Sequence, residues 1–290
     1  MKIAAFHHKG QPGVGLVSQD LLAVQPFDLP LAQRESGAQS VLEMQARGDV
    51  LPALLAPLKL SEVHLIAPLP RPRRNIFCVG KNYHAHAREF AGSGFDSSAK
   101  SGGEIPSDPI IFTKVPESVV GPDAAIEMPT ASSAIDYEAE LTIVIGKGGK
   151  GITATNALAH VWGYTIINDV TARDWQSRHQ QWHLGKSFDT FCPMGPWLVS
   201  ADECDGTNTF VRCYVNGELR QNASTKDFIF DIPKLIETIS AGITLYPGDL
   251  IATGTPVGVG IGFKPPKYLK AGDMVRVEID GIGSLENPVR

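Results

Sequence analysis

Two carboxylates stand at the head of an apolar strand. The run Asp136-Tyr137-Glu138-Ala139-Glu140-Leu141-Thr142-Ile143-Val144-Ile145-Gly146 begins polar and ends in Ile-Val-Ile-Gly. In an extended chain, residues two apart share one side of the sheet. Glu138 and Glu140 therefore project together, while Tyr137, Ala139, Leu141 and Ile143 face the other way and suit burial. Adjacent carboxylates beside a core repel each other and lose hydration. A divalent cation relieves both penalties. Alone, an E-x-E pair is most often a solvated face. Here the strand continues into a buried-looking segment, and a second acidic strand end follows at Tyr164-Thr165-Ile166-Ile167-Asn168-Asp169. Asp169 is the candidate third ligand. A set of carboxylates without Cys or His favours a hard cation, Mg²⁺ or Mn²⁺ with Ca²⁺ as a further option, over zinc.

The chain of 290 residues suffices for a large core, as one domain or as a main domain with a small one. Its net charge of −5 argues against nonspecific nucleic-acid binding, which needs a basic surface. The dense basic cluster Arg71-Pro72-Arg73-Arg74 reads better as a solvated linker. No apolar run approaches a membrane span, and residues 1–9 turn polar too soon for a signal peptide. Cys78, Cys192, Cys204 and Cys213 form no C-x-x-C pair and read as buried thiols. A cytoplasmic protein is expected.

Strand and turn signals dominate. Segments near 2–6, 15–17, 21–24 and 64–67, with a helical stretch around Val41 to Gln45 that extends towards Leu55, form a small N-terminal unit over residues 1–70. The stiff Pro68-Leu69-Pro70-Arg71-Pro72 connector follows, and residues 71–290 form the catalytic domain. Strands are expected near 75–79, 110–114, 138–145, 164–167, 197–199, 210–215, 250–252 and 274–279. Asn216-Gly217 is a hairpin signal, and Asp231 can cap a helix over 232–240 that stops at Gly242. The sequence carries no dinucleotide fingerprint and no P-loop.

Three further groups bear chemistry. In His84-Ala85-His86-Ala87-Arg88-Glu89, His86 and Glu89 share a helix face, so Glu89 can orient the imidazole as a general base. An exposed helix with an incidental ion pair is the alternative. Lys186, in Gly185-Lys186-Ser187-Phe188-Asp189, suits an oxyanion if it lies near a carbonyl substrate, although a lone lysine is usually solvated. Thr253-Gly254-Thr255-Pro256-Val257-Gly258-Val259-Gly260 is a glycine-rich loop able to hold a carboxylate, or simply a turn. The segment from Ala91 to Asp108 is rich in Gly and Ser and reads as a surface loop or as a hinge.

Together these motifs resemble the fumarylacetoacetate hydrolase family. The resemblance rests on five ordered segments between Asn75 and Ile279: Cys78 to Tyr83, Asp136 to Leu141, Gly163 to Asp174, Gly185 to Asp189 and Gly248 to Pro256. It implies an α+β, strand-rich mixed β-roll with few helices, behind a small N-terminal α/β unit, and a homodimer. It also implies Glu138, Glu140 and Asp169 as metal ligands, and His86 with Glu89 as a water-activating pair on a mobile helix. Lys186 corresponds to the oxyanion lysine, and Arg173, Gln176, Thr255 and Gly254 to substrate contacts. The implied reaction is hydrolytic cleavage of a C–C bond in a 2,4-dioxo acid, acylpyruvate or fumarylpyruvate-like, in aromatic or sugar-acid catabolism. The alternative is a 2-oxo acid decarboxylase or lyase of the oxaloacetate or oxo-hexenedioate type. Phe90, Phe95, Trp175, Trp182 and Phe188 lie near the motifs and are candidates for an aromatic pocket wall or for core.

Overall fold

The computed structural model describes residues 1–91, 105–179 and 181–290. Most of the Gly- and Ser-rich segment that reads as a surface loop or as a hinge lies outside the described residues. The strand Ala139–Ile145 is central, with all 7 residues buried. It pairs antiparallel with Val161–Asn168 on one side and with Leu250–Ala252 on the other. Leu250–Ala252 pairs parallel with Ile76–Gly80, which pairs antiparallel with Ile110–Lys114. On the opposite flank the order continues through Cys192–Ser200, Lys2–His8, Gln11–Val17, Ala23–Pro26 and Leu58–Lys59. Residues on both sides of the connector near residue 70 thus share one sheet, with Lys2 opposite Val199 and Ile3 opposite Leu198.

The sheet is apolar on both faces, which explains the unbroken hydrophobic run after Glu140. Leu141, Ile143, Ile145 and Ile166 pack into one core cluster. Val144 and Ile167 point the other way, into a second cluster with Leu42, Leu69 and Leu198. Glu138 and Glu140 have the parity of Val144, so they stand at the end of that second layer. A further sheet, in the order Glu218–Ser224, Phe210–Val215, Met274–Ile279 and Gly283–Pro288, completes the strand-rich α+β fold. Asn216 and Gly217 join its first hairpin with φ of 52° and 79°, the double positive φ of a type I′ turn.

Helices are few and short. The one near Val41 runs Gln39–Arg47 and stops at Gly48, whose φ of 75° is left-handed, well short of Leu55. Ile232–Ser240 buries Ile232, Leu235, Ile236 and Ile239, and Asp231 caps it by accepting a hydrogen bond from the Lys234 N–H at 2.9 Å. Its C-cap is Ala241 in a helical conformation, so Gly242 supplies no left-handed stop. All four cysteines are free and buried. Among the described residues, no helix is long and apolar enough to cross a membrane.

The cap offers a test of how this helix is held. Asp231→Ala is expected to lower stability by about 1 kcal/mol. Urea unfolding should show a lower midpoint at unchanged slope. No shift in midpoint would mean that the buried face alone fixes the helix start.

Candidate functional site

The antiparallel pairing of Ala139–Ile145 with Val161–Asn168 assembles the acidic site. Ala139 lies opposite Asn168, so the residue before one strand meets the residue after the other. Two contacts lock this junction. The Asp169 N–H donates to the Glu138 carbonyl at 2.8 Å, and the Glu138 N–H donates to Asn168 Oδ1 at 2.9 Å. The second contact replaces a ladder bond, and the strand accordingly starts at Ala139 rather than Glu138. Carboxylate oxygens of Glu138, Glu140 and Asp169 all lie within 4.8 Å of one another. The three side chains are buried.

Buried cations meet this cluster. Lys186 Nζ lies 2.7 Å from Glu138 Oε2 and 2.7 Å from Asp169 Oδ2. Lys114 Nζ lies 2.6 Å from Asp169 Oδ1. Arg173 pairs with Glu138 Oε1 at 2.6 Å and donates from Nε to Asp136 Oδ2 at 2.8 Å. Asp136 also accepts from the backbone N–H groups of Tyr137, Gly260 and Ile261. Glu140 differs: it accepts from the Gly254 N–H at 2.9 Å, and among the described residues no basic side chain reaches ion-pair distance of it.

The titration of these groups follows from that asymmetry. Burial and the neighbouring Asp169 and Glu138 charges push the Glu140 carboxyl well above the usual range. Burial acts in the same sense on Glu138, but Lys186 and Arg173 outweigh it and hold that carboxyl at about 2. Burial alone would lower the Lys186 ammonium, yet Asp169 and Glu138 raise it. Glu140 is thus the member of the cluster whose ionised form is least supported by its protein neighbours. Three clustered oxygen donors, one of them without a cationic partner among the described residues, fit a hard divalent cation.

His86, Glu138, Glu140, Arg173, Gln176, Lys186 and Thr255 line a single cleft of about 280 Å³. Val79, Gly80, Lys81, Phe112 and Trp182 complete its wall. Asp169 stands behind this lining, next to Lys186. Glu89 backs His86, with 3.1 Å between His86 Nδ1 and Glu89 Oε2, and the Gly258 N–H donates to the same carboxylate at 3.0 Å. Gly254 lies behind Glu140 and directs its N–H there. The Thr255 hydroxyl donates to the Ala139 carbonyl at 3.0 Å and accepts from Gln221 Nε2 at 2.7 Å. Arg173 Nη1 donates to Gln176 Oε1 at 3.1 Å, which turns the Gln176 amide nitrogen away from the arginine. Every candidate catalytic, metal-ligating and substrate-contact residue is therefore at the cleft or directly behind it.

Of the aromatic candidates, Trp182 forms part of the cleft wall, packed edge-on against Phe112 with ring centroids 5.3 Å apart. A side chain at Gly80 would meet the Trp182 ring at 2.3 Å, so the indole requires glycine there. Trp175 and Phe188 pack against the main core. Phe95 and the side chain of Phe90 lie outside the described residues. Sequence reasoning missed Lys114, Gln221, Val79 and Phe112, and gave Asp136 no role. Only Asp136 had a usable signal, because it is in phase with Glu138 and Glu140.

Comparison with known proteins identifies the family. Residues 75–290 match the family model of the fumarylacetoacetate hydrolase C-terminal domain. The chain is 44% identical to the oxaloacetate tautomerase YisK of Bacillus subtilis (strain 168), covering 100% of both chains. It is 41% identical to the mitochondrial oxaloacetate tautomerase FAHD2A of Homo sapiens, covering 100% of this chain and 91% of that one. Among solved structures, a fumarylacetoacetate hydrolase from Exiguobacterium antarcticum matches with a TM-score of 0.82 at 41% identity, over 100% of this chain and 99% of the other. A 5-carboxymethyl-2-hydroxymuconate delta-isomerase from Mycobacterium smegmatis matches with a TM-score of 0.79 at 33% identity, over 100% and 99%. The chain belongs to the fumarylacetoacetate hydrolase family.

Proposed function

We propose that this protein is a divalent-cation-dependent tautomerase that interconverts the keto and enol forms of oxaloacetate or a closely related 2-oxo diacid. The reading rests on the similarity to oxaloacetate tautomerases over the full length of the chain. The cleft supports it. Glu138, Glu140 and Asp169 would hold the cation. When bound, that cation supplies Lewis acidity towards the oxygens of a 2-oxo acid.

The remaining chemistry is a proton transfer that the chain's own residues carry out. Nδ1 of His86 is engaged by Glu89, so Nε2 takes the proton from C3 of the keto form. The C3–H electron pair becomes the C2–C3 double bond, and the carbonyl pair moves onto oxygen. The Lys186 ammonium stabilises charge as it develops on that oxygen. The proton then returns to the oxygen, giving the enol, and the reverse direction uses the same groups. Glu89, fixed by the Gly258 N–H, steadies the imidazolium formed on the way. Arg173 and Gln176 stand on the cleft wall where a substrate carboxylate would be positioned. Val79, Phe112 and Trp182 add apolar surface to the cleft wall, which would strengthen each electrostatic contact with a bound substrate.

One observation favours a second reading. A histidine backed by a held carboxylate is also the arrangement that activates water, and with an acylpyruvate it would serve hydrolytic C–C cleavage. Products separate the readings. Tautomerisation preserves the carbon skeleton, decarboxylation of oxaloacetate gives pyruvate, and hydrolysis of acetylpyruvate gives acetate and pyruvate.

Two outcomes are expected. Saturating Mn²⁺ should raise the melting temperature of the wild type, since a ligand at about 100 times its Kd adds about 2.7 kcal/mol. Glu140→Gln should fold and lose most of that increment, and an equal increment in the variant would exclude Glu140 as a ligand. His86→Ala should slow enol-to-ketone conversion of oxaloacetate by roughly 10²-fold or more at saturating metal. Loss of enol absorbance measures this, with pyruvate and acetate assayed in parallel. Wild-type acetylpyruvate cleavage faster than oxaloacetate tautomerisation would overturn the assignment in favour of hydrolysis.

A further inference from the structure

Lys114 closes the strand Ile110–Lys114, a place where a lysine ordinarily reaches solvent. Here its side chain is fully buried. All three of its N–H donors have acceptors: Asp169 Oδ1 at 2.6 Å, the Val170 carbonyl at 3.0 Å and the Lys186 carbonyl. These acceptors come from two segments, the strand end at 169–170 and the short helix His183–Lys186. The same strand meets the second segment again. Phe112, two residues back and so on the same side, lies beneath the Lys186 ammonium, with 4.9 Å from Nζ to the ring centroid. The Val115 N–H donates to Ser187 Oγ at 3.3 Å.

We propose that Lys114 is a positioning residue that gives the two oxygens of Asp169 different tasks. Lys114 occupies Oδ1, so Oδ2 is the oxygen presented to the acidic cluster, where it faces the Lys186 ammonium. A carboxylate gripped at one oxygen cannot rotate about its terminal bond, which fixes the direction of the other. By gripping the Lys186 carbonyl as well, Lys114 sets the distance between the Asp169 ligand and the start of the Lys186 side chain. A burial this complete is costly for an ammonium unless every donor is matched, and here each one is. The inference rests on Glu138, Glu140 and Asp169 forming the cation site.

The test measures Mn²⁺ affinity by electron paramagnetic resonance, a readout independent of any catalytic assay. Lys114→Met keeps the length of the chain and removes the charge and donors. It is expected to weaken Mn²⁺ binding about 10- to 100-fold, the usual effect of losing a partner that orients a metal ligand. In an Asp169→Asn background the same substitution should have little further effect. Lys114→Arg keeps the charge but moves the donors, and should weaken binding by a smaller factor. Circular dichroism monitors the fold of each variant. A folded Lys114→Met or Lys114→Arg protein with wild-type Mn²⁺ affinity would overturn the proposal. So would failure of both to fold while Asp169→Asn folds normally, because Lys114 would then be required for reasons other than the carboxylate. Wild-type protein that binds no Mn²⁺ would instead remove the cation site itself, and the role of Lys114 with it.

Discussion

Asp136, Glu138 and Asp169 are buried in ion pairs with Lys114, Arg173 and Lys186, and Glu140 is buried beside them. Each of these charges alone would cost several kcal/mol to remove from water, so the cluster exists only because its members face one another. The surrounding chain is arranged to make that happen. The junction of two central strands brings Glu138 to Asp169, the edge strand delivers Lys114, and two short helices deliver Arg173 and Lys186. Among the described residues no basic side chain reaches ion-pair distance of Glu140, and burial together with the Asp169 and Glu138 charges raises its carboxyl well above the usual range. A divalent cation held there would relieve the repulsion among the three clustered carboxylates.

The loop after Leu250–Ala252 shows how backbone serves the same end. Its N–H groups do not point to open solvent. Gly254 donates to Glu140, Gly258 to Glu89, and Gly260 and Ile261 to Asp136. Gly258 has a φ of 105°, and a side chain there would meet the Arg220 carbonyl at 1.9 Å. The glycine allows the backbone to come close enough to hold the carboxylate behind His86. The loop is thus a set of donors for protein carboxylates. Thr255 is tied through Gln221 to the second sheet, which fixes the loop against the strand that begins at Ala139.

Much of this was legible in the sequence, for physical reasons that differ by residue. Glu138 and Glu140 announced themselves through a period of two running into an apolar strand. Asp169 did so as the polar end of the next strand, and antiparallel pairing explains why the two ends meet. His86 and Glu89 were readable from helical spacing. Several strands, among them Phe210–Val215 and Met274–Ile279, follow their alternation to the residue. Lys114 was not legible, because nothing local distinguishes a buried lysine from a solvated one at a strand end. Its partners lie 55 and 72 residues away. The helices Arg173–Arg178 and His183–Lys186, 6 and 4 residues long, are too short for a periodic signal. Arg173 and Gln176 therefore emerged from family resemblance rather than from pattern, and Lys186 from its glycine- and aromatic-flanked motif rather than from periodicity.

The lining of the cleft bears on which reaction suits it. Hydrolysis of a dioxo acid must accommodate the substrate, an attacking water and a departing acyl group. Tautomerisation needs neither of the last two. It moves one proton between neighbouring carbon and oxygen atoms, a task for one base and one cation set close together. In the proposed reaction His86 would provide the base and Lys186 the cation, both on the wall of the same cleft, with Trp182 and Phe112 beside them. The His86–Glu89 pair is neutral between the reactions, since a base that can deprotonate water can also deprotonate an acidic carbon. What favours the proposed proton transfer is the similarity to oxaloacetate tautomerases over the full length of the chain.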